Sequence, residues 1–128
     1  MPPLILIVDD DPRIQGDTRR ILQLAGYATL TADTAIDALT FLKTGQVPDL
    51  AIVDLRLADL PGVKLASRIH GQHPRIPILF VAGWAAEAAI PDQLTALRWG
   101  FLQKPYTPPT LLAAVERLLS GGQATASE

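Results

Sequence analysis

The chain has 128 residues, enough for one domain with its own core, and 48% of them are apolar while only 5% are aromatic. A net charge of -2 gives no basic face for nucleic acid, and the absence of cysteine removes disulfides, thiolate metal sites and a cysteine nucleophile together. The opening Met-Pro-Pro-Leu-Ile-Leu-Ile-Val has no basic segment and is too short to span a membrane, so a soluble cytoplasmic domain without a signal peptide or membrane anchor is predicted.

Leu4-Ile5-Leu6-Ile7-Val8 is an all-apolar run that ends in Asp9, Asp10 and Asp11, and it reads as a strand buried on both faces. Asp11-Pro12 then reads as the cap and first residue of a helix, with Ile14, Thr18, Ile21, Leu22 and Ala25 on one face and Gly26 as its stop. Tyr27-Ala28-Thr29-Leu30-Thr31 predicts a short strand. Asp33 or Thr34 caps a second helix through Ala35, Ile36, Ala38, Leu39 and Leu42, which ends near Gly45.

Asp49-Leu50-Ala51-Ile52-Val53-Asp54 is the central apolar run, bounded by Pro48 and by Pro61-Gly62, and it delivers Asp54 to its C-terminal end. Residues 62–70 predict a helix with Val63, Leu65, Ala66 and Ile69 as its apolar positions. After Pro74 and Pro77 comes a fourth strand, Ile78-Leu79-Phe80-Val81, which stops at Ala82-Gly83. Residues 84–97 are Ala-rich but broken by Pro91, and predict two short helical pieces. Gly100-Phe101-Leu102-Gln103 is a fifth strand, followed by Lys104-Pro105. Thr107-Pro108 opens the last helix, whose Leu111, Leu112, Val115, Leu118 and Leu119 form a stripe. Residues 1–120 read as one domain and residues 121–128 as a frayed tail.

Five strands alternating with five helical segments imply an α/β fold: a flavodoxin-like, doubly wound parallel sheet in the order 2-1-3-4-5, with helices on both faces. That order sets the first and third strands side by side, which brings Asp9 and Asp10 next to Asp54 at the carboxyl edge. Three carboxylates repel one another unless a cation joins them. An all-oxygen, sulfur-free donor set suits a hard divalent ion such as Mg2+.

The strand-end set Val8-Asp9-Asp10-Asp11-Pro12, Val53-Asp54-Leu55, Val81-Ala82-Gly83 and Gln103-Lys104-Pro105 resembles the receiver domain of two-component response regulators, from about Leu4 to Leu119. The stretches Phe80-Val81-Ala82-Gly83-Trp84 and residues 101–108 also look like receiver modules attached to hybrid histidine kinases. The resemblance implies that Asp54 accepts a phosphoryl group from a histidine kinase or phosphotransfer protein. It implies that Asp9 and Asp10 bind Mg2+, with the backbone carbonyl of Arg56 completing the shell, and that Lys104 pairs with Asp54 and then with the phosphoryl oxygens. Pro105 would follow Lys104 through a cis bond. Backbone N–H groups at Ala82 and Gly83 would donate to the same oxygens. The output would be contact with an unknown downstream protein, and pairing into a homodimer is left open.

Three positions depart from the family pattern. Ala82 stands where Thr or Ser normally bonds the phosphoryl group, while the aromatic partner of that switch is kept as Phe101; this favours a phosphate sink or relay over a normally switched effector. Ala58 replaces a usual proline and implies a looser loop after Asp54. Trp84, with Arg56, is placed to shield an aspartyl phosphate from water. Two other readings compete: a phosphorylation-independent adaptor on the receiver fold, and a haloacid-dehalogenase-type phosphatase with Asp9 as nucleophile and Asp11 as acid-base. A flavin carrier is disfavoured because Asp9, Asp10 and Asp11 would repel the cofactor's phosphate. Asp11 reads as a helix cap, and His70 and His73 as helix-terminal surface residues without a role.

Overall fold

The computed structural model describes residues 2–83 and 98–121. Five strands, β1 (Leu4–Val8), β2 (Ala28–Ala32), β3 (Leu50–Asp54), β4 (Ile78–Ala82) and β5 (Trp99–Gln103), pair in parallel in the order β2-β1-β3-β4-β5. Four helices are described: α1 (Pro12–Leu24), α2 (Ala35–Lys43), α3 (Gly62–Gln72) and α4 (Pro108–Leu119). The doubly wound sheet predicted from the strand pattern is the fold observed. The helical pieces predicted over residues 84–97, Trp84 included, lie outside the described residues.

The sequence forms these strands because alternate residues meet two different helix layers. Leu6, Val8, Ala51, Val53, Ile78 and Phe80 pack with Ala38 and Leu42 of α2 and with Leu65 and Ile69 of α3. Ile5, Ile7, Leu50, Ile52, Leu79 and Val81 pack with Leu22 of α1 and with Leu111, Val115 and Leu118 of α4. Every residue of β3 and β4 is buried, as near-continuous aliphatic runs require. Covering such a side chain contributes about 1.5–3 kcal/mol, so these two strands dominate the core.

The helix layers follow from strand order. The chain steps from β1 outward to β2 over α1, then reverses to β3 over α2, and right-handed crossovers put those helices on opposite faces. The reversal falls between β1 and β3, which are hydrogen-bonded neighbours with Val8 opposite Val53. The residues that follow, Asp9 and Asp54, therefore emerge side by side.

Local chemistry sets the element ends. Asp11 accepts from the N–H groups of Arg13 and Ile14, and Thr34 accepts from Asp37, so Thr34 rather than Asp33 caps α2. Tyr27 was expected in β2, but its N–H closes onto Leu22 O at the end of α1, where Gly26 takes φ 97°, so the strand starts one residue later. α3 continues to Gln72 because His73 N–H still reaches Ile69 O at 2.7 Å before Pro74 ends it. Ala25 and Ile36, expected on inward faces, are exposed, Ile36 at 65%. Ala25 is the C-cap that follows α1, and in α2 Ala35 and Ala38 take the inward positions instead of Ile36. Leu112 and Leu119 are only half-buried at the margin of the α4 stripe, and Ala114 takes a core position beside Leu111. His70 is half-buried rather than on the surface. Trp99 packs edge-on against Phe80, with ring centroids 6.0 Å apart.

Candidate functional site

Asp9 and Asp54 are only 3% and 6% exposed, while Asp10 is open to solvent. Each of the three offers a carboxylate oxygen, and these oxygens lie within 4.8 Å of one another. Such an arrangement is stable only because rigid strands and a counter-charge impose it.

The counter-charge is Lys104. Its ammonium donates to Asp54 Oδ2 at 2.8 Å and to Asp9 Oδ2 at 3.1 Å. Lys104 directly follows the last paired residue of β5, Gln103: its own N–H donates to Ala82 O at 2.7 Å, and the Lys104–Pro105 peptide bond is cis. The side chain thus crosses over the end of β4 to reach β3.

The second oxygen of each buried carboxylate also accepts a hydrogen bond. Asp54 Oδ1 accepts the Arg56 N–H at 2.9 Å, and Asp9 Oδ1 accepts the Asp11 N–H at 2.9 Å. Burial pushes the Asp9 carboxyl above its ordinary value, with the Asp54 charge adding to the rise, while the Asp11 N–H and Lys104 oppose it. For Lys104, burial favours the neutral amine, but the hydrogen bond to Asp54 and the charges of Asp9 and Asp54 outweigh it and hold the ammonium above its usual range. Three carboxylates face one ammonium here, a deficit of two positive charges at one rim.

The structure brings Asp9, Asp10, Asp54 and Lys104 together and places the other sequence candidates around them. Ala82 ends β4 with its methyl 1% exposed, and Gly83 follows it in the open. Phe101 is 2% exposed and joins the core between the sheet and the α2–α3 layer. The Arg56 side chain is exposed, and its backbone N–H is what touches Asp54. Pro105 is exposed beside a groove of about 640 Å3 lined by Arg13, Ile14, Arg20, Ile21, Lys104 and Tyr106, among others. The Asp11 carboxylate is occupied in capping α1.

Three interactions have no counterpart in the sequence reading. Gln15 donates its side-chain amide toward Asp9 O, Ala32 O and Asp33 Oδ1. Asp59 accepts the N–H groups of Ala35 and Ile36, which lie more than twenty residues away in sequence. Thr18 and Tyr106 share a hydroxyl hydrogen bond of 2.6 Å. A Gln on a helix and an Asp in a loop carry no long-range signal in a single sequence, although an acceptor beside a tight turn is itself a common pattern.

A parallel sheet whose carboxyl rim holds an acid cluster and a bridging lysine at the topological switch point is a receiver-type α/β domain. The chain belongs to the response regulator receiver domain family, which matches residues 5–116, and is a phosphoacceptor domain of two-component signalling. It is similar to the C4-dicarboxylate transport transcriptional regulatory protein DctD of Pseudomonas aeruginosa, with 31% identity over 121 residues covering 90% of this chain and 25% of that protein. The sensor kinase CckA of Brucella abortus is 28% identical over 116 residues, which cover 90% of this chain and 12% of that kinase. Among solved structures, the CheY-like response regulator receiver domain protein from Methanospirillum hungatei JF-1 superposes with a TM-score of 0.84 at 30% identity, covering 94% of this chain and 95% of that one. The chain therefore spans a quarter or less of the two curated relatives named. No helix among the described residues is long and apolar enough to cross a membrane.

Proposed function

We propose that Asp54 is the residue that accepts the phosphoryl group. The observation that carries this reading is the Asp54 carboxylate, presented at the end of a fully buried strand between an acidic pair and the Lys104 ammonium. One Asp54 oxygen attacks phosphorus as the donor's phosphohistidine N–P bond breaks, and charge builds on the equatorial oxygens. Lys104 then exchanges its carboxylate contact for a phosphoryl oxygen, and the backbone around Ala82 and Gly83 donates to the others.

The donor set fits a hard divalent cation such as Mg2+: it is all oxygen, and its charge deficit is two. Asp9, Asp10 and Asp54, with the Arg56 carbonyl, would hold that ion, which when bound neutralises charge on the transferring group. The donor is a histidine kinase or a phosphotransfer protein. Its docking side is the groove flanked by Arg13, Arg20 and Tyr106, because that concave surface adjoins Lys104. Residues 1–120 act as the receiver unit in the cytoplasm, with protein contact as output and no independent turnover of substrate.

Ala82 supplies no hydroxyl to the phosphoryl group, which supports a sink or relay intermediate over a strongly switched effector. The phosphatase reading has less support, because the carboxylate of its acid-base residue, Asp11, is spent on capping α1. Intact mass after incubation with Mg2+ and a small acyl phosphate tests the proposal. A one-phosphoryl adduct that Asp54→Ala abolishes supports it; an adduct that survives the substitution overturns it.

A further inference from the structure

The segment after Asp54 has no proline before Pro61, so its backbone is not restricted by sequence. It is nevertheless tied at both ends. Gly62 N–H donates to Leu55 O at 3.0 Å, and the Asp59 carboxylate accepts Ala35 N–H at 3.1 Å and Ile36 N–H at 3.0 Å. Those two donors open α2 and have no partner within the helix. Thr34 already caps the same helix by accepting from Asp37 at 3.0 Å. α2 thus has its own cap, and Asp59 adds a second attachment from a distant loop. Burial alone would raise the Asp59 carboxyl, but the N–H groups of Ala35, Ile36, Asp59 and Leu60 together outweigh it and hold the group below its ordinary value.

The other acidic loop is anchored to the same place. Gln15 reaches Ala32 O at 3.2 Å and Asp33 Oδ1 at 2.9 Å while also holding Asp9 O at 3.0 Å. Residues 32–36, from the end of β2 to the start of α2, supply no carboxylate to the acid cluster, yet the segments after Asp9 and Asp54 both hang on them. The tie at Asp59 bears directly on Asp54, since the same loop provides the Arg56 N–H that fixes Asp54 Oδ1.

We propose that Asp59 is a positioning residue for the metal site, holding the β3–α3 loop against the start of α2 so that Asp54 is presented in one orientation to the cation. This rests on the Mg2+ reading given above. A small cation that demands near-octahedral oxygens makes affinity sensitive to such support.

The test compares Asp59→Ala, Asp59→Asn and Thr34→Ala. Thr34→Ala removes the helix's own cap and serves as a matched loss of helix stability that leaves the loop tie intact. Mg2+ alone is titrated calorimetrically, and exchange of the Arg56 amide is followed by NMR without metal. Asp59→Ala is expected to weaken Mg2+ binding about tenfold, the low end for losing a residue that supports metal ligands, and to speed Arg56 exchange. Asp59→Asn keeps one acceptor and should fall between it and the wild type. Thr34→Ala should lower the melting temperature but leave both readouts unchanged. Equal behaviour of Asp59→Ala and Thr34→Ala in both readouts overturns the proposal. A wild type that fails to bind Mg2+ overturns the metal reading instead, and unaltered Arg56 exchange in Asp59→Ala still overturns the positioning role on its own.

Discussion

Lys104 Nζ sits 2.8 Å from Asp54 Oδ2, although one residue follows β5 and the other ends β3, so the contact reaches over the end of β4. The same ammonium holds Asp9 at 3.1 Å. Removing it leaves two nearly buried carboxylates facing each other. Lys104→Met is expected to cost about 1–3 kcal/mol of stability at pH 7, measured by urea unfolding without metal. Adding Mg2+ should recover part of that loss, because another cation then opposes the same charges. An unchanged unfolding midpoint would mean the bridge is solvated in solution.

Asp9 gives a pH-dependent prediction with a definite sign. Burial raises its folded pKa above the ordinary carboxyl value of 3.8, so the fold prefers the protonated acid. A raised folded pKa contributes stability that is present below the unfolded value and is lost as pH rises through the folded one. Asp9→Asn removes this loss, so without metal the variant should be more stable than the wild type at pH 7, by about 1 kcal/mol given the open rim. The difference should shrink toward zero as pH falls below 3.8. Mg2+ should stabilise the wild type but not the variant. Urea titrations at several pH values with and without Mg2+ would check all of this.

Gly62 starts α3 where helix and strand backbones nearly touch. A Cβ at this position would meet Asp54 O and would lie 2.8 Å from Leu55 Cα, both main-chain atoms that cannot turn aside. Gly62→Ala is therefore expected to destabilise the domain by about 1–3 kcal/mol and to displace the Asp54 backbone. Phosphorylation by an acyl phosphate should slow beyond what the unfolded fraction accounts for. A stability and rate equal to wild type would show that α3 shifts freely.

The fold was legible because β1, β3 and β4 are apolar runs with few alternative uses, and because each ends in residues that chemistry rarely groups by chance. Asp9, Asp54 and Lys104 could be placed together from strand order alone, since parallel strands deliver their C-terminal residues to one edge. Asp59 and Gln15 were not legible: apart from Asp33 Oδ1 the partners named are backbone groups, and almost any residue at positions 32, 35 and 36 would offer the same N–H or C=O. Ala58 suggested a looser loop, whereas the Asp59 carboxylate ties that loop to α2. Ile36 looked inward by periodicity, but Ala35 and Ala38 take the inward face of α2 and leave it at the surface.

Ala82 sits at the end of β4, 1% exposed, one residue beyond the row of Asp54, Val81 and Leu102. Ala82→Ser adds a hydroxyl to a buried position, which should cost about 1–3 kcal/mol in the unphosphorylated protein if no partner forms. A phosphoryl group on Asp54 would provide the acceptor, so the melting temperatures of variant and wild type should converge after phosphorylation. A gap of constant size in both states would place the Ser hydroxyl away from the phosphoryl oxygens.

Thr18 of α1 and Tyr106, two residues past Lys104, share a hydrogen bond of 2.6 Å with Thr18 only 2% exposed. Burial pushes the Tyr106 hydroxyl above its ordinary value, with the Thr18 bond opposing, so the bond stays protonated and intact through the neutral range. Tyr106→Phe strands the Thr18 hydroxyl and should cost about 1–2 kcal/mol, whereas adding Thr18→Val should return most of that loss, because the pair is then apolar on both sides. The bond also fixes the segment that follows Lys104 against α1. The single variant should therefore transfer phosphoryl groups more slowly from an acyl phosphate, and the double variant should remain slow even where stability is restored. A double variant that recovers stability and rate together would confine Tyr106 to a packing role.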